Sequence, residues 1–328
     1  MPAFKDILAA RERVRNRVLK TPVLNSPRLD EWLGCRASLK CEQDQPTGAF
    51  KLRGASNAVA RLEEAGVQGD LATHSSGNHG AALAWAARAA GRRAFVVMPE
   101  NAVRSKVDAV RHFGGEVIFC APGQAPREEG LAKQVALGRL PVPPYDHEDI
   151  IAGQGTAALE LLEQVSGLKA LVAPLGGGGL LAGCALAAKG IDEHIAVYGA
   201  EPAGAADTAA SLAQGARVES WSPDTVADGL RALVGKLNFD VIRNQVTEVL
   251  LSDDEAIVAA MRAAFERADL RIEPSAAVAL AVIRKHRDHF EGQSVGVLLT
   301  GGNIDLDRFP WLAPATPQAP GKAVEAHD

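Results

Sequence analysis

Pro46-Thr47-Gly48-Ala49-Phe50-Lys51-Leu52-Arg53-Gly54 sets one lysine among small and apolar neighbours, just behind a turn signal and just ahead of a helix-like run at 55–62. In such a setting the ammonium form is poorly solvated, so the pKa falls and the amine becomes a usable nucleophile or base. That is what a lysine needs in order to condense with an aldehyde cofactor. The alternative is a lysine at a helix start whose stem lies on apolar surface while its head reaches water. Lys51 by itself does not separate the two, and the rest of the chain has to.

Upstream, residues 7–19 carry apolar side chains at helical spacing among arginines and predict an amphipathic opening helix. Thr21-Pro22-Val23-Leu24 is extended, because a residue before proline is driven out of the helical region, and 37–42 reads as a short strand. Downstream, strand, loop and helix alternate. The strand 71–74 runs through Ser75-Ser76-Gly77-Asn78-His79-Gly80 into a helix at 81–90. Strands at 94–98 and 116–120 are followed by helices at 105–113 and 127–137. The second half continues with a helix at 156–165 and a strand at 170–174. Gly176-Gly177-Gly178-Gly179 then opens a helix at 180–189, and 195–200 is a strand. Ser252 is placed to cap a helix at 253–268, Glu273-Pro274 introduces one at 275–287, and the strand 294–299 ends in Thr300-Gly301-Gly302-Asn303. Strands that read as continuous apolar runs between helices predict a parallel sheet covered on both faces.

Composition narrows the function classes. The chain has 328 residues, 47% hydrophobic and 23% charged, with 35 basic against 40 acidic residues and a net charge of −5. No basic excess exists to neutralise phosphates, which argues against a nucleic-acid partner. No apolar run is long enough to cross a bilayer. Met1-Pro2-Ala3-Phe4-Lys5-Asp6 lacks the apolar core of a secretion signal, and Cys35, Cys41, Cys120 and Cys184 show no CxxC spacing. The expectation is a cytoplasmic enzyme with reduced thiols. His286 and His289 share a helix face, but in a charged run that reads as solvated surface rather than a metal pair.

Three loops at strand ends can carry chemistry, since open α/β sheets place ligands there. The run of four glycines leaves backbone N–H groups unobstructed at the positive end of a helix, which suits a phosphate. It is neither GxGxxG nor GxxxxGK[ST], so it does not advertise a dinucleotide or ATP. The loop 75–80 offers two hydroxyls, an amide and backbone donors, more than a helix cap requires, and could hold a carboxylate. Thr300 places a hydroxyl beside a tight turn, able to hydrogen-bond a neutral ring nitrogen without protonating it.

Taken together, the Lys51 stretch, the loop 75–80, Ile151-Ala152-Gly153-Gln154-Gly155-Thr156, the glycine run, Ile272-Glu273-Pro274 and Thr300-Gly301-Gly302-Asn303 resemble the serine/threonine dehydratases and serine racemases. These are pyridoxal-phosphate enzymes of the tryptophan-synthase-β fold (fold type II), and the resemblance spans nearly everything from Ala10 to Phe309. It implies an α/β fold of two open, twisted, mostly parallel sheets, with pyridoxal 5'-phosphate in the cleft between a large domain (1–68 and 147–311) and a small one (69–146). The tail 312–328 is expected to be disordered. By the same resemblance Lys51 is the Schiff-base lysine, Phe50 packs beside the cofactor, and Asn78 bonds its phenolic oxygen. Gly176, Gly177, Gly178 and Gly179 cradle its phosphate, Thr300 faces its pyridine nitrogen, and Glu273 belongs to the cofactor site. Ser75, Ser76, Asn78, His79 and Arg127 would frame the substrate, with Ser76 the candidate second acid/base. Glu201, Asp207 and the carbonyl of Ala205 match a site for Mg²⁺ or Ca²⁺.

The implied reaction is loss of water from a β-hydroxy amino acid of the L-threonine or L-serine type, giving a 2-keto acid and ammonia. Serine racemisation, or dehydration of 3-hydroxyaspartate or phenylserine, is the alternative. Tyr145 stands where dehydratases tend to have an aromatic residue, and Ala232 departs from a hydroxyl residue found in some relatives. A homodimer without a C-terminal regulatory domain is expected.

Overall fold

The computed structural model describes residues 1–75 and 77–304. The expectations placed on Ser76 and on the tail 312–328 lie outside the described residues. The chain opens with α1 (Phe4–Val14), β1 (Val23–Leu24), α2 (Pro27–Leu33), β2 (Arg36–Cys41) and α3 (Lys51–Glu64). There follow β3 (Leu71–His74), α4 (Asn78–Ala89), β4 (Ala94–Pro99), α5 (Arg104–His112), β5 (Glu116–Cys120), α6 (Gln124–Ala136) and β6 (Leu140–Pro141). Next come α7 (Glu148–Gln164), β7 (Ala170–Pro174), α8 (Gly179–Ile191), β8 (Ala196–Pro202), α9 (Asp207–Gln214) and α10 (Lys236–Gln245). The last described elements are β9 (Glu248–Ser252), α11 (Asp254–Ala268), α12 (Pro274–Lys285) and β10 (Ser294–Leu299).

The strands form two sheets. Six run in the order β1-β2-β10-β7-β8-β9, all parallel except β1, which pairs antiparallel with β2. Four run in the order β5-β4-β3-β6 and are wholly parallel. The strands of the smaller sheet all fall between Leu71 and Pro141. Every residue of β7 is buried, as are the last five of β10, so these strands carry apolar side chains on both faces. The α/β reading with two open, mostly parallel sheets therefore holds. No helix of the described residues is long and apolar enough to cross a membrane.

Several boundaries differ from the sequence reading, each for a local reason. The opening helix spans Phe4–Val14 rather than 7–19. The helix after the Lys51 stretch begins at Lys51 itself, four residues earlier than its apolar run suggests. Ser252 is the buried last residue of β9 and its hydroxyl finds no partner. The cap of α11 is instead Asp253, whose side chain accepts from the Ala256 amide at 2.9 Å. Residues 151–156 lie inside α7, and their glycines are packing devices. A Cβ on Gly153 would sit 2.7 Å from Gly54 Cα, and one on Gly155 2.8 Å from the Gly183 carbonyl oxygen. Only glycine lets α3, α7 and α8 approach this closely.

Candidate active site

The start of α3 is fixed against the end of β10. Gly48 turns the chain at φ +71, Ala49 bridges Gly301, and the Phe50 amide donates to the Thr300 carbonyl at 3.0 Å. Lys51 then projects into a cavity shared with Phe50, Asn78, the glycine run and Thr300. Its Nζ donates to the Pro144 carbonyl at 2.8 Å. The side chain keeps some solvent contact, yet the amine is enclosed by protein, and that burial pushes its pKa down to about 8. The two readings of Lys51 left open by the sequence are thus resolved in favour of the enclosed amine.

A second wall is the glycine run. Cβ atoms there would meet Leu230 Cα at 2.7 Å from Gly176, the Tyr145 ring at 2.5 Å from Gly177, and the Tyr145 carbonyl oxygen at 2.8 Å from Gly179. Gly178, at φ +90, caps α8. The result is a bare backbone bend at a helix N-terminus, shaped for a small dianion. Asn238 Nδ2 holds the bend from behind by donating to the Gly177 carbonyl at 2.6 Å.

The loop at the start of α4 is the third wall. Ser75 Oγ accepts from the amides of Gly77 at 3.0 Å and Gly80 at 3.1 Å, so that hydroxyl acts as a cap. Burial and the charge of Lys51 push the His79 pKa down to about 3. The neutral ring turns Nε2 to the Val142 carbonyl at 3.2 Å, and Nδ1 is buried without a partner. Its one N–H is therefore spent on the wall of the site. Asn78 donates to Glu273 Oε1 at 2.7 Å. Burial raises the Glu273 carboxyl to about 7. Arg127 also lines this cavity. Its guanidinium bonds only the Gly123 carbonyl and Gln124 and makes no ion pair among the described residues.

Next to this cavity, sharing Lys106, Arg127, Ala232 and Glu273 in its walls, is a second of about 600 Å³, the mouth, which Asp228 and Arg231 also line. Lys106 of α5 pairs with Asp228, which lies in the segment between α9 and α10, so one ion pair crosses between the two sheet systems. The stem of Lys106 lies on Gly77, where a Cβ would sit 2.5 Å from Lys106 Cδ. The sequence reading passed over Lys106, Asp228 and Asn238, since nothing local marks them.

Glu201, Ala205 and Asp207 are buried and do not line the cavity. Both Glu201 oxygens accept amides of α9, Thr208 and Ala209, at 3.0 Å. Asp207 accepts from the Val234 amide at 2.9 Å. Burial pushes Glu201 up to about 8 and Asp207 up to about 6, and Asp207 raises Glu201 further. Two buried acids this short of positive charge fit a hard cation. No group of three or more His, Cys, Asp or Glu able to hold a metal occurs among the described residues, so further ligands have to be carbonyls or water. His286 and His289 bond the Leu251 carbonyl and Glu248.

An enclosed lysine facing a bare glycine bend across the carboxyl ends of two mostly parallel sheets is an arrangement able to hold a phosphorylated aldehyde. The chain belongs to the family described as pyridoxal-phosphate dependent enzymes, which matches residues 14–301. Within it the chain is a pyridoxal-phosphate enzyme of the serine/threonine dehydratase–serine racemase group, fold type II. It is 43% identical to the beta-hydroxyaspartate dehydratase of Paracoccus denitrificans over 312 residues, covering 95% of this chain and 99% of that protein. It is 41% identical to the serine racemase of Oryza sativa subsp. indica, covering 92% and 91%. Among solved structures, maize serine racemase superposes with a TM-score of 0.89 at 40% identity, over 93% of this chain and 94% of that one. The serine racemase of Dictyostelium discoideum gives 0.88 at 40%, over 93% and 99%.

Proposed function

We propose that this enzyme eliminates water from a β-hydroxy amino acid to give an enamine, whose imine tautomer is hydrolysed by water to a 2-keto acid and ammonia, and that it takes 3-hydroxyaspartate ahead of L-serine and L-threonine. The observation that carries pyridoxal-phosphate chemistry at the α-carbon is the enclosed Lys51 amine opposite the glycine run. The preference for a second carboxylate is supported by Arg127, a cation in the cavity wall without an ion-pair partner among the described residues, and by likeness to the beta-hydroxyaspartate dehydratase.

The residues present fit the cofactor. Lys51 would hold it through Nζ, the glycine run would take its phosphate, Asn78 its phenolic oxygen and Thr300 its ring nitrogen, with Phe50 and Glu273 beside it. When bound, pyridoxal phosphate supplies an electron sink for the pair left at the α-carbon. Lys51 Nζ, in its neutral form, takes the α-proton. The first amides of α4, with Ser75 and Ser76, bind the α-carboxylate. Thr300 offers a hydroxyl rather than a carboxylate, which leaves the ring nitrogen unprotonated and favours prompt loss of the β-hydroxyl. The Lys106–Asp228 contact links the two sides of the mouth above the site. Tyr145 covers the glycine run on the side where racemases lack an aromatic ring, which favours elimination over the racemisation performed by several relatives.

The proposal includes a large domain at 1–68 and 147–311, a small one at 69–146, and a divalent cation on Glu201, Ala205 and Asp207. It also includes a homodimer in the cytoplasm. The test is keto-acid release from a panel of 3-hydroxyaspartate, serine, threonine and phenylserine, with chiral analysis of the remaining substrate. Lys51→Ala should abolish turnover and the visible absorbance of the reconstituted enzyme. Undiminished turnover in that variant sinks the reading.

A further inference from the structure

Beside the cavity, residues from four separate segments form one hydrogen-bonded line. Asn303 Nδ2 donates to the Thr47 carbonyl at 2.9 Å and to Asn78 Oδ1 at 2.9 Å. Asn78 Nδ2 donates to Glu273 Oε1 at 2.7 Å. Both ends of the line are acceptors by their chemistry, a peptide carbonyl and a carboxyl oxygen. A primary amide has one oxygen acceptor and two N–H donors. Only the nitrogen of Asn303 can therefore face Thr47, and its second N–H then requires oxygen from Asn78. That choice turns the Asn78 nitrogen to Glu273 and leaves one Asn78 N–H for a ligand in the cavity, which Asn78 lines. Glu273 Oε2 is buried without a partner, so a proton there leaves Oε1 an acceptor and the line intact. Gly48 has no room for a side chain because Asn303 Oδ1 packs onto it, so the asparagine is seated from both sides.

We propose that Asn303 is a positioning residue that dictates which end of the Asn78 amide faces the cofactor's phenolic oxygen and, through Thr47, ties that choice to the loop entering Lys51. This rests on the pyridoxal-phosphate reading of the site. A reversed Asn78 would aim oxygen lone pairs at an anionic oxygen, replacing a donor with repulsion.

The experiment reconstitutes the full chain and its variants with pyridoxal phosphate. It records the cofactor dissociation constant, the pH titration of the visible band and the Tm of the apoprotein. Asn303→Ala should weaken cofactor binding roughly tenfold, the size of one well-placed hydrogen bond, and should move the titration midpoint in the same direction as Asn78→Ala. The double variant should add nothing to Asn78→Ala. Asn303→Asp keeps the volume but can donate to neither neighbour. It invites Asn78 to reverse, should bind the cofactor more weakly than Asn303→Ala, and serves alone if the alanine variant does not fold. Additive effects in the double variant, or a wild-type dissociation constant and titration in Asn303→Asp, overturn the assignment. A wild-type chain that shows no visible band overturns the underlying cofactor reading instead.

Discussion

Lys51 has to shed its charge to act, and the fold arranges this by enclosure, with no carboxylate among the described residues set beside it to hold the proton. Its folded pKa lies near 8, below the ordinary 10.5, so the neutral fraction of the folded protein grows as pH rises through about 8. Capture of pyridoxal phosphate by the apoprotein should follow that fraction, its rate climbing with a midpoint near 8. Stopped-flow measurement across pH checks this, and a midpoint near 10.5 would show a solvated amine. Lys51, the glycine run and Thr300 are legible in the sequence because their chemistry is local: a small-residue turn, a side-chain-free backbone, a strand end. Asn303 and Lys106 are not legible in the same way. Their partners Asn78 and Asp228 lie 225 and 122 residues away, and only the folded chain brings them into contact.

Among the elements, α3 is held by a buried charge cluster two residues beyond Lys51. Arg53 donates to Glu42 at 2.7 and 2.8 Å and to Glu160 at 2.8 Å, and Lys40 joins Glu160 at 2.8 Å. These four side chains, two of each sign, draw β2, α3 and α7 together. Arg53 and Glu42 are fully buried. Replacing Arg53 by methionine removes the cation and leaves the Glu42 carboxylate without its ion-pair partner in a place water does not reach, while Glu160 keeps Lys40. The expected loss is about 3–5 kcal/mol, the usual cost of breaking such a pair from one side, read from urea unfolding. Strands and main helices are legible in the sequence where apolar runs are continuous. The cap at Asp253 lies one residue beyond the sequence reading because Ser252 and Asp253 are both good cap types, and only the burial of Ser252 in β9 decides between them. The motif 151–156 marks the family in sequence, yet its reason is mechanical: its glycines remove side chains where α7 meets α3 and α8.

On the scale of the whole molecule, two sheet systems share one cleft; one feature braces its wall from the larger sheet's side and a second crosses it. The first runs from Glu201 and Asp207 to the glycine run. Asp207 holds the Val234 amide, and the next residue, Gly235, donates to the Gly177 carbonyl at 3.1 Å. A cation that relieves the two acids also fixes the back of the glycine run. A ligand of the native state at about a hundred times its dissociation constant adds about 2.7 kcal/mol. Magnesium or calcium should therefore raise Tm by several degrees over a chelated sample, and Asp207→Asn should lose that rise. The second tie is Lys106 with Asp228 at the mouth. Lys106 is only 8% exposed and its partner 34%, so the cation is the enclosed member and the carboxylate can be solvated when released. Lys106→Met keeps most of the stem on Gly77 and removes the charge. Because Asp228 regains water, the fold should lose under about 1 kcal/mol and Tm should hardly move. The closed arrangement, in contrast, loses its one salt link across the mouth among the described residues. If closure and substrate binding are coupled, a closed state weakened by about 1 kcal/mol lowers apparent substrate affinity roughly fivefold. The variant should therefore show a KM raised by that factor with kcat and Tm nearly intact. An unchanged KM would mean that the pair is packing at the rim and that the cleft closes without it.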